Sequence, residues 1–213
     1  MTEPEAQAGP PVSADLIGAR LRQLRRDSGR SLRSVAGAIG ISPSALSQIE
    51  TGAMQPSVNR LVEIVNELGA HVSAIFERTE LRSNVEIDDG APSEPIPGVV
   101  VSQNAAQTTL GQGVVYRRLG PVEVEGVDLL ETTYPPLTTS SADGAMLVHQ
   151  GYEIGLVVSG ELLFEFSEGS VRVAAGGSIA FAATRPHRVA NDSESTPAVA
   201  LWFTFRNLES HTA

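Results

Sequence analysis

Residues 34–52 read SVAGAIGISPSALSQIETG, and the turn at their centre decides how the first third of the chain folds. Val35, Ala36 and Ile39 recur at the spacing of one helix face, with Leu32 one turn before them. Gly40 ends that helix, because glycine enters the left-handed region without a Cβ penalty. Ser42 then offers a hydroxyl as N-cap, and Pro43 stands at the first helical position, where its missing N–H is not needed. Leu46 and Ile49 are the inward residues of the helix that follows.

The same period extends to both sides. Ile17, Leu21 and Leu24 share one face of a preceding helix that Gly29 closes. Ser31 is placed to cap the helix of Leu32–Ile39. After Pro56-Ser57 comes a fourth helix with Val58, Leu61, Val62, Val65 and Leu68 inward and Gly69 at its end. Val72, Ile75 and Phe76 predict a fifth, short one. Residues 82–97 (RSNVEIDDGAPSEPIP) are polar, acidic and Pro-rich, the composition of a linker. Beyond them the period changes. Short β-branched and aromatic runs at 114–116, 127–133, 154–158, 162–166, 171–173, 179–181 and 199–205 are cut by Gly, Pro and Asp, which predicts an all-β sandwich or barrel. The expected division is a flexible tail at 1–13, a five-helix bundle at 14–78, a linker at 79–97, a β domain at 98–207 and a tail at 208–213. The fold class is α + β in two domains.

Composition narrows the function. No apolar run approaches the roughly 20 residues that span a bilayer, residues 1–13 lack the pattern of a signal peptide, and cysteine is absent, so a cytoplasmic protein with no membrane partner is expected. The net charge of −10 is unevenly spread. Residues 15–78 carry eight arginines against six carboxylates, a net of +2, and the remainder seven against nineteen, a net of −12. Only the N-terminal part is suited to an anionic partner.

Two short helices crossing through Ala36, Ile41, Leu46 and Ile49 present the second helix outward, the arrangement that enters the major groove of double-stranded DNA. The residues placed to meet DNA are Ser42, Pro43, Ser44, Ser47, Gln48 and Thr51; Gln pairs bidentately with adenine, and arginines on neighbouring helices can reach phosphates. The segment 17–69 resembles the helix-turn-helix family of phage repressors and Cro, the xenobiotic-response-element type. By that resemblance Arg25 and Glu50 form an internal ion pair joining the first helix to the recognition helix. Leu32 stands where phage repressors often keep a phosphate-contacting Gln.

The β half carries two clusters, HQGYEIGLVVSGE at 149–161 and GGSIAFAATRPHRVAN at 176–191, that resemble the two motifs of the cupin family. The resemblance implies a double-stranded β-helix (jelly-roll) barrel with the motif residues pointing inward, and pairing of barrels into a homodimer. It brings His149, Glu153 and His187 together as ligands. Two imidazoles and a carboxylate with open positions suit a divalent metal, Fe, Zn or Ni; positions four apart on a strand share a face, so His149 and Glu153 can both point inward. The chain departs from the family pattern at Leu147, where a further His is usual, at Gly177, where Asp is usual, and at Ala182, where Pro is usual. At most three protein ligands remain.

These readings combine into a non-enzymatic transcription regulator that binds operator DNA and senses a small-molecule effector or metal in its barrel. The two functions are expected to sit on separate cores coupled through dimer geometry. The alternative is a non-heme iron oxygenase, since a helix-turn-helix joined to a cupin with this His-Glu-His set also resembles the hydroxypropylphosphonate epoxidase family.

Overall fold

The computed structural model describes residues 11–12, 14–70, 72–76, 106–120, 124 and 126–205. Helix α1 (Ala14–Asp27) buries Ile17 and Leu21 and half-buries Leu24, the stripe that a 3.6-residue period dictates. Helices α2 (Leu32–Ala38), α3 (Pro43–Glu50) and α4 (Val58–Glu67) each start at a serine whose hydroxyl accepts a backbone N–H three residues on: Ser31 from Ser34, Ser42 from Ala45, Ser57 from Arg60. Gly40, at φ 69°, supplies the left-handed residue of the turn between α2 and α3.

The expected fifth helix is not an α-helix. Val72–Phe76 form a 3₁₀ segment whose five residues are all buried. Five residues make little more than one turn, the length at which i→i+3 pairing is common. Among the described residues the bundle therefore has four α-helices.

Two contacts join α1 to α3. Arg25 donates from Nε to Glu50 Oε1 at 2.5 Å and from Nη2 to Oε2 at 2.9 Å, with side chains only 12% and 4% exposed. Gly18 lets the helices touch: a Cβ there would stand 2.9 Å from the carbonyl carbon of Glu50.

The C-terminal half is a two-sheet barrel. One sheet has the order β1-β2-β3-β4-β11-β6-β9, formed by Pro11–Val12, Gln107–Thr109, Val115–Arg118, Val127–Tyr134, Ala198–Phe205, Tyr152–Ser159 and Ser178–Ala182. The other has the order β5-β10-β7-β8, from Thr138–Thr139, His187–Asn191, Glu161–Phe166 and Gly169–Ala174. Strand β4 alternates strictly, with Asp128, Leu130, Thr132 and Tyr134 inward, and β11 answers with Ala198, Ala200 and Trp202. Pro11 and Val12, expected in the flexible tail, instead pair in parallel with Gln107 and Thr108. The linker at 79–97 and the tail at 208–213 lie outside the described residues.

The halves are not separate. The Asn59 N–H donates to Ser140 O at 2.9 Å and its Nδ2 to Ala145 O at 2.9 Å; Gly111 N–H donates to Pro56 O at 2.8 Å; Arg60 reaches Asp143 at 3.3 Å. The start of α4 is thus fastened to the barrel, and coupling through dimer geometry alone is not what this arrangement provides.

Glu50→Ala leaves Arg25 without its partner in a nearly closed site, so urea unfolding should show a loss of about 3–5 kcal/mol. Gly18→Ala should also destabilise, by pushing α1 off α3. A parent-like urea midpoint in both variants would mean the α1–α3 contact does not hold the bundle.

Candidate functional site

Helix α3 buries Leu46, Ile49 and Glu50 and leaves Ser42, Pro43, Ser44 and Gln48 exposed, with Ser47 half-buried. Thr51 is exposed at its C-cap, but its hydroxyl donates back to Ser47 O at 2.9 Å and Gln48 O at 3.2 Å. The Ser42 hydroxyl is likewise engaged as N-cap. Both hydroxyls therefore hold the helix ends, while Ser44 and Gln48 project from its middle. Arg22, Arg26 and Arg33 are exposed on α1 and α2, outside the ion pairs found among the described residues.

The three expected ligands converge. Glu153 lies on β6, flanked in register by Phe181 of β9 and Thr204 of β11. His187 opens β10, where its backbone exchanges hydrogen bonds with Leu147, and His149 N–H donates to Ala183 O at 3.0 Å. His149 Nε2 stands 2.9 Å from Glu153 Oε1, and His187 Nε2 stands 3.8 Å from Oε2. The three ligand atoms lie within 4.8 Å of one another, and the side chains are 5%, 13% and 5% exposed.

The outer nitrogens each face a backbone carbonyl. His149 Nδ1 is 3.0 Å from Gln150 O and His187 Nδ1 is 2.8 Å from Arg185 O. In the tautomer with Nδ1–H donating to the carbonyl, each Nε2 is free to ligate a cation beside Glu153; in the other tautomer His149 Nε2–H donates to Glu153 Oε1. Burial lowers the His187 pKa, against the opposing pull of Glu153, so a neutral imidazole is available. Two His and one carboxylate fit a divalent metal in chemistry as well as spacing.

Of the departures from the cupin pattern, Gly177 has a local cause. Leu147 is buried in the cavity wall where a further His is usual. At Gly177 a Cβ would meet Val173 Cγ1 at 2.8 Å, so Asp does not fit there without movement.

The triad opens into a cavity of about 50 Å³, against roughly 10–15 Å³ for one water on a comparable measure. Its barrel wall includes Tyr116, Asp128, Tyr134 and Trp202, and its other wall comes from the helical half, with Val58, Asn59, Val62 and Asn66 of α4 and Val72. Burial, with Glu153 adding to it, raises the phenol pKa of both tyrosines, which keeps them as O–H donors. Sequence reasoning missed these groups. The available signal was on α4, where Asn59 and Asn66, seven residues apart, fall on one face among buried valines.

Family profiles for the helix-turn-helix domain and the cupin domain match residues 16–74 and 132–204. Over 179 residues the chain is 30% identical to the HTH-type transcriptional regulator PuuR of Escherichia coli (strain K12), covering 83% of this chain and 88% of that one. An HTH_3 family transcriptional regulator from Vibrio cholerae superposes with a TM-score of 0.65 at 24% identity, over 92% of this chain and 97% of that one, a likeness of fold. Hydroxypropylphosphonic acid epoxidase from S. wedmorenis covers 91% of this chain and 98% of its own at 17% identity and a TM-score of 0.42, too little to carry an argument. The protein is a DNA-binding transcription regulator with a C-terminal cupin domain. It belongs to the family of HTH-type transcriptional regulators that includes PuuR.

Because the His187 pKa is lower folded than unfolded, where it is about 6.5, its stability contribution is present above that value and is lost as pH falls through the folded one. The metal-free protein should melt lower at pH 5 than at pH 7.5, and His187→Asn should narrow the gap. An unchanged gap in the variant would show that His187 does not carry it.

Proposed function

We propose that this regulator reads operator DNA with the exposed face of α3 and senses a small effector or a divalent metal in the barrel. The convergence of His149, Glu153 and His187 in a cavity that α4 helps to line is the observation that carries the sensing half. Ser44 and Gln48 meet base edges, Pro43 and Ser47 shape the same face, and Ser42 and Thr51 hold the helix ends at the phosphates. Arg22, Arg26 and Arg33 supply sequence-independent attraction to the DNA backbone. His149, Glu153 and His187 would hold Fe, Zn or Ni, which when bound supplies a Lewis-acidic anchor for an oxygen-bearing effector. The protein residues exclude water, orient the imidazoles through the carbonyls of Gln150 and Arg185, and keep His187 neutral.

The working unit is a homodimer. On β6 the outward residues Tyr152, Ile154, Leu156 and Val158 form an exposed apolar row, and Phe203 stands beside Ile154 in register on β11. A continuous row of this kind on a sheet face favours burial against a second copy. A dimer also supplies two recognition helices for a two-fold operator.

The oxygenase alternative uses the same three ligands. A paired measurement on purified protein separates the two readings: binding to its own upstream DNA belongs to the regulator, and metal-dependent turnover without DNA binding to the oxygenase. Within the regulator reading, Gln48→Ala and Ser44→Ala should each weaken operator binding by roughly 1–3 kcal/mol at fixed salt. Unchanged affinity in both removes α3 as the reader. Ile154→Glu combined with Val158→Glu should convert the dimer to a monomer by light scattering, and a dimer that persists places the interface elsewhere.

A further inference from the structure

We propose that Arg60 of α4 is a positioning residue for the recognition helix. It ties the turn in front of α3 to the barrel loop at 140–145, so the barrel sets how its own chain presents α3 to DNA. This rests on the reading of α3 as the helix that meets DNA and adds the element that holds it there. The Arg60 side chain is 21% exposed and touches both halves. Nη1 donates to Ile39 O at 3.0 Å and to Glu63 Oε2 at 2.7 Å, while Nη2 donates to Asp143 Oδ2 at 3.3 Å.

The grip on Ile39 supplies what α2 lacks. Ile39 is the C-cap of a seven-residue helix with no basic residue in its last turn. Carbonyls at a helix C-terminus have no intrahelical partner and favour a cation, and the guanidinium from α4 meets that need. Gly40 turns the chain at the next residue and Ser42 then caps α3, so the place of Ile39 sets where α3 starts.

The barrel end is equally constrained. Asp143 Oδ1 accepts from the Ser141 hydroxyl at 2.8 Å and from the Ala145 N–H at 3.1 Å, and Oδ2 accepts from Arg60. The Ser141 bond foremost, with the Arg60 charge adding to it, lowers the Asp143 pKa, so the carboxylate is charged at neutral pH. An exposed ion pair is usually worth little because two flexible side chains must be ordered. Here bonds to other groups have already ordered both. The backbone behind Arg60 is held as well, since Asn59 bonds Ser140 and Ala145. The same loop runs on to Leu147, paired with His187, and to His149. One stretch of chain therefore joins the cavity to the turn before α3.

Binding of the full-length, metal-free protein to its own upstream DNA, titrated at several salt concentrations, tests the proposal. Asp143→Asn keeps an acceptor for Ser141 and Ala145 but turns an amide donor toward Arg60. It should bind about three- to ten-fold more weakly, with the salt dependence and melting temperature of the parent. Loss of the negative charge alone would tighten binding instead. Arg60→Gln should weaken binding at least as much, and adding Asp143→Asn to it should weaken binding no further. Unchanged or tighter binding by Asp143→Asn, or additive losses in the double variant, would overturn the proposal. So would a salt slope shallower by about 0.9 in Arg60→Gln, the mark of a lost phosphate contact. Gln48→Ala, run alongside, separates the two readings. If it weakens binding while Asp143→Asn does not, α3 remains the reader and the role of Arg60 falls. If neither weakens binding, both fall.

Discussion

Asn59 holds the molecule together. It is 3% exposed, and a buried amide must find partners or cost the protein stability. Both of its bonds across the halves end in the stretch 140–145 of the barrel, one from the backbone N–H and one from the side chain. That requirement seats the first turn of α4 at the barrel mouth. Arg60, its neighbour, also bonds the carbonyl of Ile39, and Gly111 N–H donates to Pro56 O, so the start of α4 is held against the barrel on both sides of Asn59.

The same packing creates the chemistry of the site. His187 sits against the ring of Phe181 at 4.9 Å between centroids, and Phe181 in turn meets Phe166. Apolar surroundings disfavour the imidazolium and leave a neutral ring. Val58 and Val62 of α4 line the helical side of the cavity, and the largely buried Glu153 carboxylate is shielded from bulk water. Charge in such a space interacts more strongly than at the surface, which is why three side chains suffice to define a site.

Much of this was legible in the residues. The serine caps, the Gly40 turn and the Pro43 start mark α2 and α3 locally, and their helices begin where the caps stand. The alternation along 127–133 and 199–205 gave β4 and β11 to within a residue or so. The His-Glu-His set was readable through the resemblance to the cupin motifs, although His149 lies ahead of β6 and not on the strand with Glu153. Other features depend on contacts distant in sequence. Strand β10 was missed because HRVAN is short and polar, and it is a strand only by pairing with β7 and β5. The 3₁₀ form of Val72–Phe76 is not encoded by the apolar period, which a short 3₁₀ turn and an α-helix share over five residues. The cavity's second wall was missed because the α4 face that carries Asn59 and Asn66 meets the barrel only through contacts distant in sequence.

Trp202 is the chain's only tryptophan. It lines the cavity, with its indole N–H donating to Thr132 Oγ1 at 2.8 Å and its ring 5.9 Å from that of Phe164. Indole emission follows the polarity around the ring, and here a single fluorophore is fixed at the wall where barrel and α4 meet. The protein thus carries an intrinsic optical probe of that one place, whose signal is not mixed with light from any other tryptophan.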